Sequence, residues 1–188
     1  HVAGLFDFSK IIGNDVLYAA KEPDAAVMEE LQYLSKNKNL TVICCQLGYL
    51  EFYKLMGYNV ITLEDFLNMS TKKFYILTNY PFSDRSSDSS NSKDIDKLFV
   101  LKGQDIGHGG QEIIRTKHFT NKSSAFRKKL FSSGNIESIE RLDDNVFPTI
   151  QNTETCIVSW NSNHTGDAKI QYKDGTIVEK NLNKDTVI

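Results

Sequence analysis

Phe74-Tyr75-Ile76-Leu77-Thr78-Asn79-Tyr80-Pro81-Phe82 is the stretch on which the fold reading turns. Aromatic, aliphatic and β-branched residues predict a strand over 74–78, which then stops at an amide, a proline and two rings. Polar residues at the C-terminal end of a strand mark the edge where open α/β sheets bind ligands.

Upstream, three strand–helix alternations precede this segment. Asp15–Ala20 reads as a first strand, and Pro23-Asp24 opens a helix through Leu34, with Ala26, Val27, Glu30, Leu31 and Leu34 on one face. Leu40–Gln46 is a second β-branched run, followed by a helix from about Leu47 to Met56 that stops at Gly57. Asn59–Thr62 is a third strand, running into Glu64-Asp65-Phe66-Leu67. Apolar runs alternating with segments of helical period imply parallel strands joined by crossover helices.

Downstream, Ser83–Ser92 is rich in Ser and Asp without apolar period, and reads as a mobile surface loop or one that orders on a ligand. Asp94–Leu101 resumes helical spacing, Glu112–Ile114 reads as a strand, and Ser123–Phe131 as a basic helix ending at Gly134. Ile136–Leu142 and Thr155–Trp160 are further strands, and Ala168–Val178 is a hairpin turning at Asp174-Gly175. The expected architecture is α/β, a mostly parallel seven-stranded sheet between helices over 1–165, with a C-terminal β-hairpin extension over 166–188.

Composition narrows the class. The 188 residues are 40% hydrophobic and 24% charged, as in a globular protein, and no apolar run approaches the roughly 20 residues of a bilayer span. A net charge of -2 supplies no global attraction to nucleic acid, so phosphate binding would need a local basic patch. Cys44, Cys45 and Cys156 sit in apolar runs and read as small buried hydrophobes, which fits a reducing, cytoplasmic setting. Four Asn-X-Ser/Thr triplets occur without a signal peptide to make them glycosylation sites. His1 is not an initiator methionine, which implies trimmed upstream residues or a tag remnant.

The order of motifs resembles the adenine-N6 DNA methyltransferases, particularly the branch found in restriction–modification systems. The diagnostic segment of that family is Asp or Asn, Pro, Pro, then Tyr or Phe, and Asn79-Tyr80-Pro81-Phe82 stands in its place. Gly109–Ile114, Ser124–Leu130, Ile136–Leu142, Asn145–Pro148 and Thr155–Val158 follow in the family's order, so the likeness runs from about Asp15 to Trp160. The resemblance implies a Rossmann-like fold, S-adenosylmethionine as cofactor, and DNA as substrate. It also implies catalytic roles for Asn79, Tyr80, Pro81 and Phe82. The exocyclic amine of adenine is a poor nucleophile because its lone pair is delocalised into the ring. The Asn79 side-chain carbonyl and the Tyr80 backbone carbonyl would accept its two hydrogens, and Phe82 would stack on the extruded base.

The cofactor elements depart from the family. A glycine-rich turn should follow the first strand, yet the chain reads Tyr18-Ala19-Ala20-Lys21-Glu22-Pro23-Asp24. Tyr18 takes the position of an acidic residue, Ala20 lies in the turn, and Gln46 replaces the acidic group expected on the ribose hydroxyls. Asp65-Phe66 matches a later motif whose carboxylate accepts from the cofactor's adenine amine; capping the following turn is the alternative role of Asp65.

Arg115, Lys117, His118, Lys122, Arg127, Lys128 and Lys129 form the one dense basic stretch, which reads either as a phosphate-backbone track or as a solvated helix face. Arg85, Lys117, Lys122, Arg127 and Lys128 are the DNA-binding candidates. His108 and His118 lack the carboxylates or spacing of a metal site and His164 sits in a turn, and Trp160, Tyr49, Phe52 and Tyr53 read as packing residues. Two functions follow: an adenine-N6 DNA methyltransferase, or a catalytically inactive methyltransferase-like subunit that binds DNA, a partner methyltransferase or a specificity subunit without cofactor.

Overall fold

The computed structural model describes residues 6–20, 22–71, 73–79, 95–142 and 154–188. Tyr80, Pro81, Phe82, the Ser83–Ser92 stretch with Arg85, and Asn145–Pro148 lie outside the described residues. The chain divides into two compact units, His1–Pro81 with Lys102–Gly110 and Phe82–Leu101 with Gln111–Ile188.

The first unit is built from β1 (Asp15–Ala20), α1 (Ala25–Asn37), β2 (Asn39–Cys44), α2 (Leu50–Leu55), β3 (Asn59–Thr62), α3 (Leu63–Leu67) and β4 (Phe74–Asn79), with the adjoining parts of α4 (Ile95–Ile106) and β5 (Gly107–Arg115). Its strands are ordered β3-β2-β1-β4-β5. β1 pairs in parallel with β2 on one side and β4 on the other, so Val16–Ala20 are wholly buried and read as an unbroken apolar run instead of an alternating one. α1 covers the sheet with Val27, Glu30, Leu31 and Leu34, and its start is fixed by Asp24, whose carboxylate accepts from Val27 N at 2.8 Å. A 3-10 turn at Leu47–Tyr49 leads into α2, which ends at Gly57 with φ of 87°.

β5 begins at Gly107, in a glycine-rich stretch of low strand propensity. Packing explains it: a Cβ on Gly107 would stand 2.8 Å from Ile76 Cδ1 and 2.9 Å from the Gly103 carbonyl oxygen, so only a residue without a side chain lets the strand start there.

The second unit contains α5 (Lys117–Thr120), α6 (Ala125–Ser132), β6 (Ile136–Arg141), β7 (Thr155–Asn161), β8 (Ala168–Gln171) and β9 (Ile177–Lys180). Its strand order is β5-β7-β6-β8-β9. β7 runs antiparallel to β6, while β8 runs parallel to it and turns back into β9. Nine strands are described where seven were expected, because the tail hairpin joins the sheet through β8. The core gathers Ile114, Phe119, Phe126, Leu130, Phe131 and Val158, with Phe119 and Phe131 stacked at 5.5 Å. Trp160 is buried, as its position at a strand end suggests, and its indole N–H donates to Glu112 Oε2 at 3.0 Å. Cys44 and Cys156 are buried and Cys45 partly so, all three as free thiols. No described helix is long and apolar enough to cross a membrane.

Arg127 ties residues 184–188 to this unit. Only 1% exposed, it donates from Nε to the Asn121 carbonyl at 3.2 Å, from Nη2 to Lys122 at 2.9 Å, and from Nη1 to Lys184 at 3.0 Å and to Thr186. Ile188 N reaches the Phe119 carbonyl at 3.2 Å. Arg127→Ala strands several buried carbonyls and is expected to lower stability in urea denaturation by on the order of 3 kcal/mol. Lys128→Ala, one residue along on the exposed face, is expected to stay within about 0.5 kcal/mol of wild type.

Candidate functional site

The parallel register of the first unit brings four strand ends level. Ala20 of β1 pairs with Cys44 of β2 and with Asn79 of β4, and Cys44 pairs in turn with Thr62 of β3. β2 and β3 are laid down on one side of β1 and β4 on the other, so the chain reverses its direction of growth at β1. A crevice outside the carboxyl ends of the strands at such a switch point is the ligand-binding place of open α/β sheets. Ala20 and Asn79 stand side by side at that edge, with Asn79 partly buried. Tyr80, Pro81 and Phe82 lie beyond the described residues, so Asn79 alone represents the tetrapeptide.

The end of β1 and the start of α1 do not fit a bound S-adenosylmethionine. No glycine occurs between Gly13 and Gly48, and Tyr18, Ala19 and Ala20 are all wholly buried. The Tyr18 hydroxyl points to α1, donating to Glu30 Oε1 at 3.2 Å, and its ring meets Phe6 edge-on at 5.9 Å. The N-terminus of α1, whose free N–H groups and positive dipole end would suit a carboxylate, already carries the carboxylate of Asp24. A ligand acid brought there would meet a protein acid.

Of the other expected cofactor contacts, Asp65 and Phe66 are engaged within the protein and the Gln46 side chain is not. Of its two readings, Asp65 realises the capping one: Thr62 and Asp65 form a reciprocal capping box at α3, Asp65 N donating to Thr62 Oγ1 and Thr62 N to Asp65 Oδ2, both at 3.1 Å. Phe66 is wholly buried behind it. Gln46 is exposed, and its backbone carbonyl accepts from Cys44 Sγ at 3.0 Å.

Beneath this edge lies a polar interior that the motif reading did not name. Glu30 Oε2, the Tyr53 hydroxyl and the Thr78 hydroxyl are buried without a hydrogen-bond partner among the described residues. Burial pushes the Glu30 carboxyl up to about 7, against the opposing Tyr18 hydrogen bond, and burial followed by Glu30 pushes the Tyr18 phenol well above its usual range. An acid on the core-facing stripe of α1 was the sequence signal for it.

The basic stretch of the second unit divides in two. Lys117, Lys122, Lys128 and Lys129 are exposed. Arg127 holds residues 184–188, which removes it from the surface track on which the sequence places it. Arg115 forks onto Asp96, Nε to Oδ2 and Nη2 to Oδ1 both at 2.9 Å, and His118 Nε2 lies 2.8 Å from the same Oδ2. Burial opposes ionisation of Asp96, but the His118 and Arg115 contacts outweigh it and hold its carboxyl at about 2.

Glu30 makes stability depend on pH. Its carboxyl binds a proton more tightly folded than unfolded, so as pH rises from about 4.5 to about 7 the unfolded chain ionises first and stability falls. Glu30→Gln is expected to match wild type at pH 4 and to exceed it at pH 8 by on the order of 2 kcal/mol in chemical denaturation.

No protein-family model and no curated protein matches the sequence. Solved structures do match. A modification subunit of a putative type I restriction enzyme from Vibrio vulnificus superposes with TM-score 0.62 at 16% identity, covering 85% of this chain and 42% of that one. The type I restriction-modification methyltransferase subunit from Streptococcus thermophilus gives 0.59 at 18%, covering 92% and 45%. A putative class I S-adenosylmethionine-dependent methyltransferase from Listeria monocytogenes gives 0.54 at 12%, covering 81% and 55%. The chain thus spans less than half the length of the two restriction–modification subunits. At these identities the likeness is one of fold: this chain has the Rossmann-like α/β fold of S-adenosylmethionine-dependent methyltransferases.

Proposed function

We propose that the chain is the methyltransferase-like module of a restriction–modification system, binding DNA and receiving an extruded adenine at Asn79 without S-adenosylmethionine. The observation that carries this reading is the asymmetry of the switch point. Asn79 ends β4 partly buried, while the neighbouring end of β1 carries Ala20 with no glycine after it before Gly48, and the start of α1 is closed by the Asp24 cap. The Asn79 side-chain carbonyl can accept one hydrogen of an adenine amine, and its amide group can donate to a ring nitrogen. Such a module contributes DNA or partner-subunit binding, and methyl transfer would belong to a partner methyltransferase. The type I subunits that share its fold are the ground for placing it in restriction–modification and for DNA as its partner.

A second reading, an active adenine-N6 DNA methyltransferase with an unusual cofactor turn, is favoured by the pairing of Ala20 with Asn79, which keeps one small side chain beside the base-holding residue. The two readings part in a titration calorimeter. The cofactor-free module shows no heat of binding with S-adenosylmethionine, and a saturable isotherm followed by methylation of adenine-containing duplex establishes the enzyme instead.

Base reception is read separately. A duplex carrying 2-aminopurine at a mismatch, where extrusion is easiest, is expected to brighten several-fold on adding the protein without cofactor. Asn79→Ala is expected to remove most of that gain while leaving the melting temperature unchanged. Unaltered fluorescence with the wild-type protein would refute a base-receiving role.

A further inference from the structure

The surface of α5, α6 and the turn between them carries charge of one sign. No Asp or Glu occurs between Glu112 and Glu137, and Lys117, Lys122, Lys128 and Lys129 are all exposed. None of the four has an ion-pair partner among the described residues. A solvated helix face ordinarily mixes signs, with carboxylates three or four residues from its lysines. Here neighbouring ammonium groups only repel one another, a cost that a partner of opposite charge removes.

Arg127 adds to this field from inside. Its acceptors are the backbone carbonyls of Asn121, Lys122, Lys184 and Thr186, and none is a carboxylate. Its positive charge is therefore solvated but not cancelled, and burial screens it less than a surface charge is screened. The same guanidinium draws in a fifth lysine: Nη2 holds the Lys122 carbonyl at 2.9 Å and Nη1 the Lys184 carbonyl at 3.0 Å. Exposed Lys184 is thus brought to the same surface as Lys122, although it lies far along the chain. Asp185 follows Lys184 and offsets one charge, which leaves the face strongly positive.

The surroundings of the lysines favour one kind of polyanion. Exposed Thr120, Asn121, Ser123 and Ser132 stand among them, and hydroxyls and amides accompany lysine at phosphate backbones. A lipid surface would call for exposed apolar side chains on the same helix. Phe119, Phe126, Leu130 and Phe131 are instead buried, so α6 offers a membrane nothing to insert. We propose that α5, α6 and the adjoining Lys184 form a track for the phosphate backbone of a nucleic acid, gripped without reading of its bases. The inference rests on the proposed DNA binding and names the surface that supplies it. The sequence places four of the lysines in one stretch; their lack of partners, the uncancelled Arg127 and the arrival of Lys184 belong to the fold.

Fluorescence anisotropy of a labelled DNA duplex across a salt series tests it, using the whole chain. Lys122→Gln and Lys128→Gln, both at exposed side chains, are each expected to weaken binding about three- to tenfold. Each is also expected to reduce the slope of log affinity against log salt by about one, equally for two duplexes of unrelated sequence. The triple change of Lys122, Lys128 and Lys129 to Gln reduces the slope by about three. Lys54→Gln in the first unit, where the lysine is exposed and paired with Glu51, leaves affinity and slope as in wild type. An unchanged urea midpoint in each variant shows that folding is retained. Duplex binding that the triple variant keeps at full affinity and slope overturns this surface and leaves the proposed function standing. Wild-type protein that ignores duplex even at low salt overturns both. Sedimentation with phosphatidylserine vesicles in place of duplex, lost in the triple variant, assigns the face to a membrane and overturns the nucleic-acid track.

Discussion

The parallel register of β1, β2 and β4 is the constraint on which the first unit depends. Parallel pairing cannot be closed by tight turns, so each strand must be followed by a crossover that returns the chain to its starting edge. Every strand therefore ends on the same side, and the residues at those ends come together without being near one another in sequence. Ala20, Cys44, Thr62 and Asn79 are level for this reason alone. A register shift of one residue in β4 would bury the amide of Asn79 and turn Thr78 toward the opposite face.

The two units treat buried acids differently. In the second unit Asp96 receives a forked arginine and a histidine, and the pairing outweighs the cost of desolvation. Among the described residues, Glu30 in the first unit receives a phenol and Glu112 in the second an indole; each keeps one oxygen unpartnered there, and burial raises both carboxyls. A neutral carboxylic acid is the form such surroundings favour. Glu30 lies under the edge where open α/β sheets bind ligands, and its described hydrogen bond runs inward, from the Tyr18 hydroxyl of β1.

Much of the fold was legible because local and tertiary preferences agree. The strands at Asp15–Ala20 and Asn59–Thr62 fall where the apolar runs place them, and α1 buries Val27, Glu30, Leu31 and Leu34 as its periodicity requires, although Ala26 stays exposed. The start of β5 was not legible from strand propensity, since Gly107–Gly110 lacks strand formers; the family resemblance reached back only to Gly109, and Gly107 packs closely against Ile76. The hairpin was recognised from Asp174-Gly175, but its attachment to β6 is a non-local pairing that no turn residue announces. Asn79 and Asp65 could be singled out by position in the chain, whereas the burial of Arg127 could not: a cation on a basic helix gives no sign of carbonyls 57 and 59 residues away.

That distance matters to the order in which the protein is made. Arg127 is synthesised well before Lys184 and Thr186, and until they emerge its guanidinium has only the carbonyls of Asn121 and Lys122 to engage. The helix around it cannot bury its charge in final form until residues 184 and 186 have been made. The second unit consequently closes only once Lys184 and Thr186 are in place, and a chain cut before them keeps an arginine lodged near its core with half its acceptors missing.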